Sequence, residues 1–269
     1  MKENLINKYN QLKENLLEMD SVAIAYSGGV DSTFLVKVAY DVLGEKAVAV
    51  TATSSTYPKR ELNQAKQFAE NFGIKHIIIE SEETKIDNFS SNPKNRCYFC
   101  KKELFSKIKQ IAKKNDLRFV LDGSNADDEY DFRPGMKAIK ELKIISPLKD
   151  AGLSKDEIKE ISYELHLDTW DKPAFACLAS RFPYGIEITK SRLDQVEKAE
   201  SFLHSIGIKQ FRVRYHDDIA RIEVEKNDFI VILKHSDEII EKFKKIGFKY
   251  VTLDIEGYRM GSLNEVFHK

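Results

Sequence analysis

Residues 22–43 constrain this chain more than any other stretch. Val22-Ala23-Ile24-Ala25-Tyr26 is a short apolar run that reads as a buried strand. Ser27-Gly28-Gly29-Val30-Asp31-Ser32 follows it directly, and residues from about Asp31 to Leu43 continue as a helix that Gly44 stops. The alternation then repeats. Ala47 to Ala52 is a second strand, Pro58 opens a helix ending near Gly73, and His76 to Glu80 is a third strand. Glu103 to Lys114 is helical and Phe119-Val120-Leu121 is a fourth strand. A helix with Leu5, Tyr9, Leu12 and Leu16 on one face precedes the series.

This order predicts an α/β domain: a parallel sheet with helices on both faces. Ligands of such sheets sit beyond the carboxyl ends of the strands, so the loops after Tyr26, Ala52 and Leu121 should share one crevice. After about residue 185 the pattern changes. Thr189 to Ile206 reads as a helix, Phe211 to Tyr215 and Ile219 to Glu225 as a hairpin turning at Asp217-Asp218, and Tyr250 to Ile255 as a strand beyond a helical stretch. The expectation is a main domain over 1–185 and a smaller α+β domain over 186–269, for substrate binding or oligomerisation.

The chain has 269 residues, 42% hydrophobic and 32% charged, which suits a globular protein with a sizeable core. Lys+Arg and Asp+Glu both number 43, so the basic surplus usual for a nucleic-acid partner is missing. No signal-peptide pattern opens the chain, and no run approaches the roughly 18 apolar residues of a membrane span. A cytoplasmic location without membrane attachment is expected. Three cysteines in that compartment point to chemistry or metal binding rather than disulfides.

The loop Ser27–Ser32 has the makings of a phosphate cradle. Its two glycines let the backbone approach an anion, and the helix behind it offers N–H groups and a positive dipole end. Ser27 and Ser32 add hydroxyls. Asp31 is out of place beside phosphate unless it holds Mg²⁺ that bridges to the pyrophosphate. The Gly-Lys-Ser/Thr ending of a Walker A loop is absent. The loop resembles instead the SGGxDS loop of the PP-loop ATP pyrophosphatases (adenine nucleotide alpha hydrolase-like fold), which cleave ATP between the α and β phosphates and adenylate a substrate. The alternative is an ordinary glycine turn. A second loop, Asp122-Gly123-Ser124-Asn125-Ala126-Asp127-Asp128, resembles a segment of several such enzymes, and the carboxylates of Asp122 and Asp127 are candidates for Mg²⁺ or ribose. Thr51 to Ser55, at and beyond the end of the second strand, are placed at the adenine pocket.

Cys97 and Cys100 form Cys-x-x-Cys in Asn95-Arg96-Cys97-Tyr98-Phe99-Cys100-Lys101-Lys102, a spacing that suits zinc, a redox pair, an iron–sulfur cluster or two structural thiols. Cys177 lies in Trp170-Asp171-Lys172-Pro173-Ala174-Phe175-Ala176-Cys177-Leu178-Ala179-Ser180-Arg181-Phe182-Pro183-Tyr184-Gly185, a loop-like segment that would present a reactive thiolate or bury a small apolar side chain.

Taken in order, the PP-loop, "NRCYFCKKELF", "DGSNADD", "RPGMKA" and "WDKPAFACLASRFPYG" resemble the LarE family over essentially the whole chain, the "ACLASRFPYG" block being the most specific. Those enzymes are ATP-dependent sulfur transferases that build the nickel-pincer nucleotide of lactate racemase. The resemblance implies that ATP adenylates a carboxylate of pyridinium biscarboxylic acid mononucleotide and that sulfur then displaces AMP. In one branch a cysteine matching Cys177 gives up its own sulfur and becomes dehydroalanine. In the other, three cysteines hold a 4Fe–4S cluster whose fourth iron carries the sulfide. Cysteines stand here at all three places, Cys97, Cys100 and Cys177, so the resemblance implies the cluster branch, fed by sulfide or another sulfur donor. It also implies a homo-oligomer, a trimer or a hexamer.

In Phe211-Arg212-Val213-Arg214-Tyr215 the two arginines share a strand face, as Glu223 and Glu225 do in the next strand. A solvated salt-bridge ladder is one reading. A grip on the phosphate of a nucleotide-like substrate is the other. By resemblance, Arg212, Arg214, Glu200 and Glu223, together with Ser180 and Arg181, are placed at the substrate. Another PP-loop enzyme, for tRNA thiolation or amide synthesis, and a non-catalytic cluster- or zinc-binding module are the rival readings.

Overall fold

The computed structural model describes residues 2–86, 88–130, 135–173, 176–259 and 261–263. Arg133, Pro134, Ala174 and Phe175 of the motifs above lie outside them. The chain divides into two compact units, Met1–Glu82 with Asn95–Phe175 and Glu83–Lys94 with Ala176–Lys269. The divide thus falls ahead of residue 185, and residues 83–94 join the second unit. The Cys177 block belongs there because its short 3₁₀ turn, Leu178–Arg181, packs on a helix and a strand of that unit.

In the first unit α1 (Glu3–Met19), β1 (Val22–Ala25), α2 (Val30–Leu43), β2 (Ala47–Thr53), α3 (Lys59–Phe72), β3 (His76–Glu80), α4 (Arg96–Lys114) and β4 (Phe119–Leu121) follow one another. Then come α5 (Gly135–Glu141), α6 (Pro147–Asp150) and α7 (Lys155–Glu164). The four strands pair in parallel in the order β3-β2-β1-β4. Alternate residues of β1 enter different cores. Val22 and Ile24 pack with α1, α2, α3 and α7, whereas Ala23 packs with Phe105, Ile108 and Ala112 of α4 and Ile139 of α5. Helices therefore cover both faces, as the near-continuous apolar strands require. The connection runs outward from β1 to β3 and then returns to the far side of β1, so the strand order reverses between β1 and β4. At such a reversal the two neighbouring loops diverge and leave room for a ligand.

Two helical features escape the sequence reading. Helix α4 begins at Arg96 rather than Glu103, so Cys97 and Cys100 stand on its first turn. Helices α5 to α7 have no counterpart among the predicted elements, although α7 opens with a capping box, Ser154 and Glu157 exchanging hydrogen bonds across its first turn.

The second unit holds α8 (Lys190–Ser205), β5 (Phe211–His216), β6 (Ile219–Val224), α9 (Phe229–Lys234), α10 (Ser236–Ile246) and β7 (Tyr250–Leu253). The hairpin β5–β6 turns at Asp217-Asp218, and β7 adds to β6 in parallel. Phe182, Tyr215, Phe248 and Phe243 form a chain of ring contacts at 5.0 to 6.0 Å through its core. Among the described residues no helix is long and apolar enough to cross a membrane.

Phe34, fully buried on α2, sits in the core that fixes α2 against the sheet. Phe34→Ala is expected to cost about 3–5 kcal/mol of stability, read as a lower urea midpoint at unchanged slope.

Candidate active site

The last ladder bond of β1 is Tyr26 N–H to the Val50 carbonyl, at 2.9 Å. Beyond it the chain leaves the sheet. Gly28 takes φ +68°, a conformation that L side chains rarely adopt, and a Cβ there would also lie 3.3 Å from Ala65. Gly29 caps α2 in an extended conformation, with no side-chain cap on the first turn. Ser32 closes the loop: its Oγ accepts from Ser27 N–H at 3.2 Å, lies 3.0 Å from Ser27 Oγ, and donates to the Gly29 carbonyl at 3.2 Å. Two carbonyls of the loop are held from outside. Tyr57 Oη donates to Ser27 O at 2.8 Å, and Lys172 Nζ donates to Gly28 O at 3.0 Å.

The loop after β4 lies against this one. At Gly123 a Cβ would come within 3.2 Å of the Ser32 backbone, so a larger residue would push the two loops apart by a few tenths of an ångström. Asp31 receives Lys155 Nζ on both carboxylate oxygens, each at 2.8 Å, and Asn125 Nδ2 at 3.4 Å. Burial pushes the Asp31 carboxyl above its ordinary value, Lys155 pulls against this, and Asp128 reinforces it. Asp127 accepts from the Lys155 backbone N–H at 2.8 Å and so anchors the start of α7. Asp122 is buried, with Ser124 and Ser146 hydroxyls each 2.6 Å from its oxygens. Thr51 is buried too; its hydroxyl donates to Tyr26 O at 2.7 Å and meets His76 Nε2 at 2.8 Å. For Mg²⁺, Asp31 offers hard oxygen at the mouth of the loop, and that ion takes most remaining ligands from phosphate and water. The residues fit such an ion.

Cys97 and Cys100 stand one helical turn apart on α4, hence on one side of it, Cys97 exposed and Cys100 half-buried. Cys177 is half-buried in the second unit, and none of the three is in a disulfide. Its carbonyl accepts from Ser180 N–H at 3.0 Å and from Arg181 Nη1 at 3.2 Å, which fixes the backbone that carries the thiol. Among the described residues no three His, Cys, Asp or Glu are gathered to hold a metal ion. In donor chemistry thiols at Cys-x-x-Cys spacing suit an iron–sulfur cluster.

The charged strand is no solvated ladder, for β5 is buried along both faces. Arg181 is 2% exposed and grips Glu200 with two parallel bonds, Nε to Oε1 at 2.8 Å and Nη2 to Oε2 at 2.9 Å. Its third nitrogen donates to Ala176 O, Cys177 O and Ser180 Oγ. Glu200 also accepts Val213 N–H at 2.9 Å. Burial alone raises the Glu200 carboxyl, but Arg181, Arg212 and that N–H more than offset it and hold it below the ordinary value. Arg214 donates to Ser180 O, Glu223 and Ser262, each at 2.8 to 2.9 Å, and Glu223 takes Arg221 on its other oxygen. Arg212 lies over the Tyr258 ring at 5.1 Å, and burial with neighbouring Arg181 lowers its pKa to about 10. The structure thus places Arg181, Arg214, Glu200 and Glu223 in a buried ionic framework around the Cys177 turn.

Lys155, Tyr57, Asn125 and Lys172 were not singled out from the sequence as site residues. A lone lysine opening a helix carries no local signal. Lys172 lies just ahead of the most specific block, and its partners Gly28, Glu61 and Gln64 are distant in sequence.

Arg181→Ala would leave the Glu200 carboxylate buried without its partner. The expected loss is about 3–5 kcal/mol, read by thermal or urea unfolding. Because the folded-state pKa of Glu200 is depressed, its contribution is present above its ordinary value of 4.5 and fades as pH falls below it. An acid titration of stability should show that loss, and Glu200→Gln should flatten it.

Residues 5–117 match the family model described as NAD synthase. Over 98% of its length the chain is 45% identical to an uncharacterized Synechocystis protein, of which it covers 100%. It is 37% identical to the pyridinium-3,5-bisthiocarboxylic acid mononucleotide synthase of Lactiplantibacillus plantarum, over 98% of this chain and 96% of that one. An uncharacterized protein of Methanocaldococcus jannaschii is 34% identical over 94% of this chain and 98% of its own. With a glycine loop at the strand reversal of a parallel sheet, and a named synthase matched nearly end to end, the chain belongs to the LarE family, that of pyridinium-3,5-bisthiocarboxylic acid mononucleotide synthase.

Proposed function

We propose that this protein is an ATP-dependent sulfurtransferase that adenylates a carboxylate of pyridinium biscarboxylic acid mononucleotide and converts it to the thiocarboxylate. The observation that carries the reading is the near end-to-end similarity to the Lactiplantibacillus synthase, joined to the glycine loop after β1. A carboxylate is a poor electrophile because two anionic oxygens load its carbon. Its oxygen attacks the α-phosphorus of ATP, pyrophosphate departs, and the acyl-adenylate carries a good leaving group. A sulfur nucleophile then displaces AMP.

In this reading Ser27, Gly28, Gly29 and Ser32 cradle the phosphates, and Asp31 holds Mg²⁺ that neutralises charge developing on pyrophosphate. Lys155, now on Asp31, would be released to pair with phosphate once the ion takes its place. Thr51, Asp122, Gly123 and Asp127 shape the nucleotide pocket from the strand ends. Cys97, Cys100 and Cys177 would hold a 4Fe–4S cluster, which would supply the sulfur and be replenished by sulfide or another donor. Arg212 meets the substrate phosphate, and Arg181, Arg214, Glu200, Glu223 and Ser180 keep that arginine and the Cys177 turn in register. The working form is a cytoplasmic homo-oligomer, a trimer or a hexamer.

Two measurements test this. Asp31→Asn should lower pyrophosphate release at least about a hundredfold while folding is retained; near-normal release would remove Asp31 from the reaction. Anaerobically purified protein should contain about four irons and keep its intact mass after turnover. Protein without iron or acid-labile sulfide that loses one sulfur from Cys177 would instead establish sacrificial donation, with dehydroalanine left at that position.

A further inference from the structure

The loop between β1 and α2 has two successive carbonyls under outside control. Ser27 O accepts Tyr57 Oη at 2.8 Å and Gly28 O accepts Lys172 Nζ at 3.0 Å. In a trans peptide the C=O and the following N–H point in opposite directions. Holding Ser27 O therefore aims the Gly28 N–H, and holding Gly28 O aims the Gly29 N–H, each away from its holder. Among the described residues neither N–H donates a hydrogen bond within the protein.

Both holders are themselves fixed. Lys172 is largely buried, donates to Gln64 Oε1 at 2.7 Å, and forms an ion pair of 2.6 Å with buried Glu61 of α3. Burial, with Glu61 and Tyr26 nearby, raises the Tyr57 phenol well above its ordinary value, so it stays a donor throughout the working pH range. The ammonium of Lys172 is thus spent on a carbonyl, a glutamine and a carboxylate, which makes a support of it rather than a direct phosphate ligand.

We propose that Tyr57 and Lys172 are positioning residues that preorganise the phosphate cradle, turning the N–H groups of Gly28 and Gly29 toward the phosphates of ATP. This rests on the reading of the loop as an ATP site. A glycine loop alone is conformationally loose, and ordering it on binding would cost affinity. Pinning two peptide planes beforehand removes that cost and gives donors that need no reorganisation as charge develops.

The test is calorimetric titration with Mg²⁺ and α,β-methylene-ATP, which cannot be cleaved between the α and β phosphates, set beside titration with adenosine. Tyr57→Phe and Lys172→Ala should each weaken the nucleotide about tenfold, the worth of one oriented hydrogen bond, and leave adenosine affinity unchanged. Retained affinity for the nucleotide in both variants, or an equal loss for adenosine, would overturn the proposal. Tyr57→Phe removes one hydroxyl only and keeps the question open to refutation should Lys172→Ala fail to fold with Glu61 left to Arg60 alone. Failure of the unaltered protein to bind α,β-methylene-ATP would instead refute the ATP reading itself.

Discussion

Peptide groups that leave a sheet ladder must find partners or be aimed at a ligand. From Tyr26 to Gly28 the chain meets that demand by fixing three carbonyls to side chains from elsewhere, those of Thr51, Tyr57 and Lys172, while the Gly28 and Gly29 N–H groups donate to no partner among the described residues. Ser32 ties the two ends of the turn, Tyr57 and Lys172 hold its carbonyls, and Gly123 admits the neighbouring loop to van der Waals distance. The sheet exists, from the site's point of view, to bring these contributors to one edge. Parallel pairing of β1 with both β2 and β4 aligns their carboxyl ends, and the reversal of strand order opens the gap that the loops then line.

The second unit is organised by a different force. Arg181, Glu200, Arg214 and Glu223 are paired within a small core, where an isolated charge would be costly, and half-exposed Arg221 joins Glu223 from its edge. Such networks contribute little net stability compared with apolar side chains, but they define geometry, because each group accepts only partners at set distances and angles. Here the geometry so defined is that of the turn carrying Cys177, whose flanking carbonyls at Ala176 and Cys177 are both held by Arg181.

In the proposed reaction the two kinds of chemistry fall on different units of the chain. Residues that would activate a carboxylate come from the ends of β1 and β4 and from α7. The thiol at Cys177 is carried on a separate unit, with Cys97 and Cys100 on the first turn of α4. Residues 83–94, which precede that turn, belong to the second unit, so the chain passes between units just before the Cys-x-x-Cys pair. Within the second unit Asn92 fastens this segment to the Cys177 block through the Phe182 and Pro183 carbonyls.

The sequence by itself determined the β1–loop–α2 element, the four strands, the hairpin at Asp217-Asp218 and the family. These depend on local periodicity, on glycines that only certain turns require, and on motifs whose residues are adjacent in the chain. It also singled out Asp31, Gly123 and Arg181. What those side chains touch was decided by tertiary structure alone. Lys155 meets Asp31 from far along the chain, and Lys172 meets Gly28 from farther still. Arg212 and Arg214 looked like a pair on an open strand face, and only the packing of the second unit put both in its interior. Local pattern reports which face of an element is apolar; it carries no information about which distant charge will close over the other face. That choice is made by the folded arrangement, where each buried charge must find its partner.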